Sequence, residues 1–214
     1  MNSLQQRFSA EDRRQQILEV AKAIFARKGY EGTTTREIAN AAKVNEAIIF
    51  RHFPTKEELY WAVIDFSCRS TDARGQMLER LRRGGDLKSV FRDLALEILN
   101  RRQRDQTLTR LLFFSALENH ELSSRFFDHY VAQFYESLAS YVKEQIVAGN
   151  LRDVDPMVAA RGFLGMVIYH SLVETLFAGG RIRRYENEKI ADELSTIWLN
   201  GVLKNAEIDP GSKK

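Results

Sequence analysis

Between Thr34 and Glu58 the chain sets out three helix-start signals in close succession: Thr34 with Glu37, then Asn45, then Thr55 with Glu58. A Ser or Thr followed three positions later by Glu is a capping box. The hydroxyl accepts from an orphan N–H of the first turn, and the carboxylate reaches back to the cap. Asn at a helix start does the first half of that alone. Starts so close together leave room for two helices of about two turns each with a short turn between them, which is the helix-turn-helix layout. Pro54 ends the second, because the residue before a proline is pushed out of helical geometry.

The residue types in TTREIANAAKVNEAIIFRHF, Thr34 to Phe53, fit that layout. Ile38 and Ala41 are expected to face inward on the first helix, and Ala39 and Ala42 are small enough for a close crossing. Val44 plugs the turn, and Ile49 and Phe53 anchor the second helix. Glu46, Ala47, Phe50 and Arg51 are then left on the outward side, available to a major groove.

The rest of the chain is also patterned for helices. Ser9 can cap a helix with Ile17, Val20, Ala21, Ile24 and Phe25 on one face, ending near Gly29. The Thr55 cap opens a longer helix with Leu59, Ala62, Val63 and Phe66. Arg83-Gly84-Gly85-Asp86 reads as a loop whose Asp86 caps a helix with Val90, Leu94 and Ile98. A short apolar helix follows (Leu108, Leu111, Leu112, Leu117), then a long amphipathic one from Phe127 through Val142 to Gly149. Asp155-Pro156 is a cap followed by a first-turn proline, and that helix runs to about Phe177, before Gly179-Gly180. A last helix carries Ile190, Leu194, Ile197, Trp198, Gly201 and Val202; the tail from Asp209 is expected to fray. No alternating strand pattern occurs, and only three prolines interrupt 214 residues. The expected fold is all-α with about nine helices.

Charge is distributed unevenly. Residues 1–56 hold ten Lys/Arg against six Asp/Glu, and the remainder holds twenty-two against twenty-three. A positive N-terminal quarter on a near-neutral remainder suits a phosphate-facing domain. The single cysteine, Cys68, permits no internal disulfide, and Met1 to Arg14 has no apolar signal core, so a cytoplasmic protein is expected. The most apolar helix, Met157 to Phe177, is interrupted by Arg161, His170 and Glu174, which argues for burial in protein and against a membrane span.

Residues 11–62 resemble, in one ungapped run, the DNA-binding region of TetR-family transcriptional regulators. The matching residues are Ile24-Phe25-Ala26, Gly29-Tyr30, Gly32-Thr33-Thr34, Glu37-Ile38-Ala39, Ala41-Ala42, Val44, Arg51-His52-Phe53 and Lys56-Glu57-Glu58-Leu59. The resemblance implies a DNA-binding domain over residues 10–70 and an effector-binding and dimerisation domain over 71–207. It also implies phosphate contacts from Thr34, Thr35, His52 and Lys56, and base contacts from Asn45 to Arg51, that is Asn45, Glu46, Ala47, Ile48, Phe50 and Arg51. Arg36 and Lys43 complete the expected DNA-binding set. Three positions depart from the usual pattern. Lys43 stands where the turn commonly has Gly, at a strain of up to ~1–2 kcal/mol. Ala47 replaces another frequent Gly. Phe50 replaces a frequent Tyr, losing a hydroxyl that would reach phosphate.

Beyond residue 60 the resemblance rests on helix count and order, and implies a small effector and a two-helix dimer face. The sequence points to dimerisation independently. Met157 to Phe177 is apolar nearly all round, as expected of a helix buried on both sides. Phe163 and Val167 on it, with Leu194, Ile197, Trp198 and Gly201 on the last helix, are the expected dimer face. A deeply buried central helix of a monomer would show the same pattern. Phe66, Phe113, Phe114, Phe127, Tyr130, Phe134, Met166 and Tyr169 make an aromatic-rich middle and are the candidate effector lining. His170 and Glu174, four apart on one helix face, either satisfy each other, meet a dimer mate, or orient a ligand. An effector held there would be apolar or aromatic.

An enzyme is disfavoured. The nearest miss is His120-Glu121-Leu122-Ser123-Ser124, where a zinc-protease helix needs a second histidine at Ser124. No Gly-rich phosphate loop or nucleophile elbow occurs, so neither metal nor cofactor is called for. The expected partners are a palindromic DNA operator, a small-molecule effector and a second copy of the chain. The expected activity is that of a homodimeric repressor, with a ligand-independent regulator or activator as the alternative. An adaptor lacking DNA affinity is a more distant one.

Overall fold

Each cap read from the sequence starts a helix in the structure, a computed structural model that describes residues 9–104, 106–118, 121–177, 181 and 183–204. Gly179-Gly180, His120 and the tail from Asp209 lie outside the described residues. The helices are α1 (Ala10–Lys28), α2 (Thr35–Ala41), α3 (Glu46–His52), α4 (Lys56–Thr71), α5 (Ala73–Arg83), α6 (Leu87–Arg104), α7 (Thr107–Leu117), α8 (Glu121–Phe126), α9 (Ala132–Val147), α10 (Pro156–Thr175) and α11 (Asn187–Val202). Counting α4 with α5 and α8 with α9, which follow one another without a loop, the described residues hold nine helices and no strand.

The caps account for where these helices begin. Ser9 Oγ accepts from Asp12 N–H at 3.0 Å and Asp12 reaches back to Ser9 N–H at 3.2 Å, a complete capping box. Thr34, Asn45, Thr55, Asp86 and Asp155 each accept from the N–H three residues on, at 2.7 to 3.1 Å. Two breaks carry no such signal. Asp72 (φ 40°) sits in the left-handed region between α4 and α5, and a five-residue π-helical turn, Phe127–Val131, joins α8 to α9. The apolar period of Phe127, Val131 and Phe134 runs straight through the second, and the first falls in a largely polar stretch, residues 67–76.

The chain divides into two compact units. The first comprises Met1–Asp72 and Gln106–His129, and the second Ala73–Asp105 and Tyr130–Lys214. In the first, α1 packs on α2, α4 and α7 around fully buried Ile17, Phe25, Ile38, Ile49, Leu59 and Tyr60. Helices α7 and α8, more than fifty residues downstream of α3, therefore belong to the unit that holds the helix-turn-helix. In the second, α6, α9, α10 and α11 surround Phe91, Phe163 and Trp198. Phe91 lies 4.9 Å from Phe163 and 4.3 Å from Trp198 between ring centroids. The Trp198 indole N–H donates to the Ala159 carbonyl at 3.0 Å, satisfying the ring's one polar atom. Burial pushes the Cys68 thiol up to about 12, with the Asp65 carboxylate adding to it, so it stays a protonated, unreactive thiol.

Helix α10 is apolar all round, as read, but its own unit buries only one side. Ala160, Phe163, Leu164 and Val167 point inward, while Val158 and Tyr169 are 69% and 67% exposed.

Candidate nucleic-acid interface

Helix α2 ends in the turn that aims α3. The Val44 N–H donates to the Ala39 carbonyl at 3.0 Å and the Lys43 N–H to the Asn40 carbonyl at 3.2 Å, the paired bonds of a Schellman motif. That motif needs a left-handed residue after the cap, and Lys43 supplies it at φ 55°. Lysine there is strained where glycine would not be. Lys43→Gly is expected to stabilise the protein by about 0.5–1 kcal/mol, the left-handed penalty less the extra chain entropy glycine loses. Thermal melting should show a rise of a few degrees, and DNA affinity should fall with the lost cation.

Ile38, Ala39 and Ala42 face inward on α2, and Ala41 does not. The buried stripe follows the positions one and four residues after Ile38, which leaves Ala41 on the solvent side. On α3, Ile49 is fully buried and Phe53 nearly so, with the Arg14 guanidinium 5.1 Å above the Phe53 ring. The α1 side chain of Gln16 donates to the Ala42 carbonyl at 3.2 Å, tying the turn to the first helix. Ala47, Phe50 and Arg51 are exposed, and Glu46, Ile48 and His52 half-buried. The Thr35 hydroxyl donates to a Glu46 carboxylate oxygen, linking the starts of α2 and α3. Arg36 and Lys43 are exposed beside them. Lys56, at the start of α4, has its ammonium 4.2 Å from the Tyr30 ring centre, a cation–π contact that holds the side chain in place. Of the expected DNA-reading residues, Ala47, Phe50 and Arg51 leave α3 with an exposed side of two apolar groups and one guanidinium.

Sequence reasoning missed what steadies this unit from below. The Glu118 carboxylate on α7 accepts from the Tyr30 N–H at 3.1 Å, and Arg110 Nε donates to the Ala26 carbonyl at 2.6 Å. The Tyr60 hydroxyl sits between the Leu111 carbonyl (3.0 Å) and the Ser115 hydroxyl (2.7 Å). Burial pushes the Tyr60 phenol up to about 12, the Ser115 hydrogen bond working against it. These partners lie 51 to 88 residues apart, and no local pattern announces them.

The aromatic set expected to line an effector site divides between the units. Phe66, Phe113, Phe114 and Phe127 fall in the first, and Tyr130, Phe134, Met166, Tyr169, His170 and Glu174 in the second. Phe114 lies against Gly29, where an added Cβ would meet its ring edge at 2.9 Å. Phe134 and Met166 pack on the second unit's core, and Tyr169 points outward. His170 and Glu174 are half-buried.

The dimer set also divides. Phe163, Val167 and Trp198 are core of their own unit, because the inward stripe of α10 and α11 holds them against Phe91. Ile197 is 56% exposed, Gly201 is exposed and Leu194 half-buried. On α10 the matching outward residues are Val158, Gly162, Gly165 and Tyr169.

A helix-turn-helix presented by a helical unit, joined to a second helical unit, defines a DNA-binding transcriptional regulator. Comparison with known proteins gives the family. Residues 17–63 match the model for bacterial regulatory proteins of the tetR family, and residues 89–200 match the AefR-like transcriptional repressor C-terminal domain. The chain belongs to the TetR family of transcriptional regulators. It is 26% identical over 191 residues to the uncharacterized HTH-type transcriptional regulator YvkB of Bacillus subtilis (strain 168), covering 87% of this chain and 95% of that one. A solved structure described as a TetR-family regulator from Mesorhizobium loti superposes with a TM-score of 0.72 at 23% identity, covering 92% of this chain and 100% of that one. AibR, solved in complex with isovaleryl coenzyme A and operator DNA, superposes with a TM-score of 0.66 at 25% identity, covering 86% and 97%.

Proposed function

We propose that the chain is a cytoplasmic, homodimeric repressor that places α3 of each subunit in a major groove of a near-palindromic operator and leaves it on binding a small effector. The observation that carries this reading is the outward side of α3, where Ala47, Phe50 and Arg51 stand exposed, as Arg36 and Lys43 do on the preceding helix and turn. Apolar and cationic groups together suit base edges flanked by phosphates. Residues 10–70 would read DNA, and residues 71–207 would bind effector and partner.

Two exposed glycines support the dimer. A Cβ added at Gly165 or Gly201 would meet nothing within 4 Å in the chain itself. Glycine inside a helix costs about 0.5–1 kcal/mol relative to alanine, and no neighbour within the chain requires either one. A second copy packing closely on α10 and α11 supplies the reason, giving a four-helix interface. The likeness to AibR, solved with isovaleryl coenzyme A, supports an effector with an apolar acyl portion. Such an effector acts only if it binds the DNA-free arrangement more tightly.

The test is selection of bound fragments from genomic DNA at physiological salt. An enriched, near-palindromic site is expected, with half-sites one helical turn apart or a multiple of that. Weak binding that disappears with modest salt would remove the reading. On the recovered site, Lys56→Ala should weaken binding to all sequences and flatten the salt dependence by about one unit. Arg51→Ala should instead relax preference at one base pair. Equal losses by both variants on cognate and random DNA would take the base-reading role from Arg51.

A further inference from the structure

We infer that α3 recognises thymine through its 5-methyl group, with Phe50 as the specificity-determining side chain and Ala47 as the surface beneath the methyl. This rests on the DNA-binding reading above and adds to it the chemistry of the bases that are read. Ile49 is the buried anchor of α3. At about 100° per residue, Ala47 and Arg51 point nearly opposite to it, with the Phe50 ring beside Ala47. Phe50 is 42% exposed, in contrast to the buried aromatics Phe25, Phe53 and Tyr60 of the same unit. The outward side of α3 thus offers a ring, a methyl and one guanidinium.

The polar side chains at the start of α3 are already engaged. Asn45 Oδ1 accepts from the Ile48 N–H at 2.9 Å, and a Glu46 oxygen accepts from the Thr35 hydroxyl. Phe50 itself has no hydroxyl to donate to phosphate or to a purine edge. Among base edges in the major groove, the thymine methyl is the apolar group, and alanine and phenylalanine are side chains that contact it. The charge of the unit fits the same partner. Arg36 and Lys43 are exposed, cations suited to phosphates along the groove rim while the ring reaches the base edge.

The experiment uses the full-length protein and the duplex recovered by genomic selection. Thymines are replaced one at a time by deoxyuridine, which removes the methyl and keeps every hydrogen-bonding atom. At one or two thymines per half-site, binding should weaken roughly fourfold, as expected from uncovering one methyl-sized apolar group. Phe50→Ala should lose a comparable factor on the natural duplex and become indifferent to deoxyuridine at those positions. Phe50→Leu, which keeps an apolar side chain, should retain part of the discrimination. Both variants should melt within a few degrees of the parent, since an exposed side chain holds little of the core. The inference is overturned if the natural protein binds every deoxyuridine duplex as tightly as the parent duplex. It is also overturned if the penalty persists unchanged in Phe50→Ala, or if the half-site contains no required T·A pair. In those cases a specific site has been recovered and the DNA-binding reading stands; recovery of no enriched site overturns both.

Discussion

Replacing Gly29 by alanine is expected to destabilise the protein by about 3–5 kcal/mol, combining backbone strain with the loss of a charged hydrogen bond. Gly29 closes α1 with φ 76° and ψ −179°, a region open essentially to glycine alone. A Cβ there would also stand 2.3 Å from a Glu118 carboxylate oxygen and 2.9 Å from the Phe114 ring. The carboxylate is the flexible neighbour, so it is the one that moves. Moving it breaks its bond to the Tyr30 N–H, the first backbone group of the segment leading into α2. Thermal melting should fall by about 10 °C, at a few degrees per kcal/mol for a chain of this size. Operator binding should fall further than melting alone explains, because the entry to the helix-turn-helix is displaced. Glu118→Gln separates the two causes. It keeps an amide oxygen for Tyr30, so it should melt and bind close to the parent, while Glu118→Ala should lose part of both. A Gly29→Ala protein that melts within a degree or two of the parent would show that the junction carries no such constraint.

How far the fold could be read from the sequence follows from the range of the interactions. The helix starts were legible because a cap and its acceptor are three residues apart. The left-handed Lys43 was legible only through the family resemblance, in which glycine commonly holds that position of the turn. Asp72 and the π turn at Phe127–Val131 had no glycine or proline at them; an apolar period ran through the turn, and the largely polar residues 67–76 offered none to break at Asp72. The inward and outward positions of α2 and α3 are set within twenty residues of sequence, and the expected ones agree with the structure apart from Ala41. An effector lining is harder to read, because an aromatic at helical spacing looks the same whether it fills a cavity or seals a junction. Phe114 seals one, against Gly29, through a contact 85 residues apart that only the fold brings together.

The same limit governs α10 and α11, and there it sets up a sharp experiment on two adjacent residues. A helix apolar on all sides does not say which side meets its own core and which a partner. Trp198 and Ile197 both lie on the apolar stripe of α11, yet Trp198 is buried against Phe91 and Phe163 while Ile197 is 56% exposed. Trp198→Ala should cost about 3–5 kcal/mol, chiefly from a large core cavity, and should broaden or abolish thermal unfolding at any protein concentration. Ile197→Glu leaves that core intact and places a charge where a second copy would pack. If α10 and α11 form the interface, Ile197→Glu should sediment as a folded monomer with native helical content. Its operator affinity should drop by orders of magnitude, because each half-site is then held by one subunit alone. If instead Ile197→Glu remains dimeric and binds as the parent does, the interface lies elsewhere. The unexplained glycines at 165 and 201 would then need another reason.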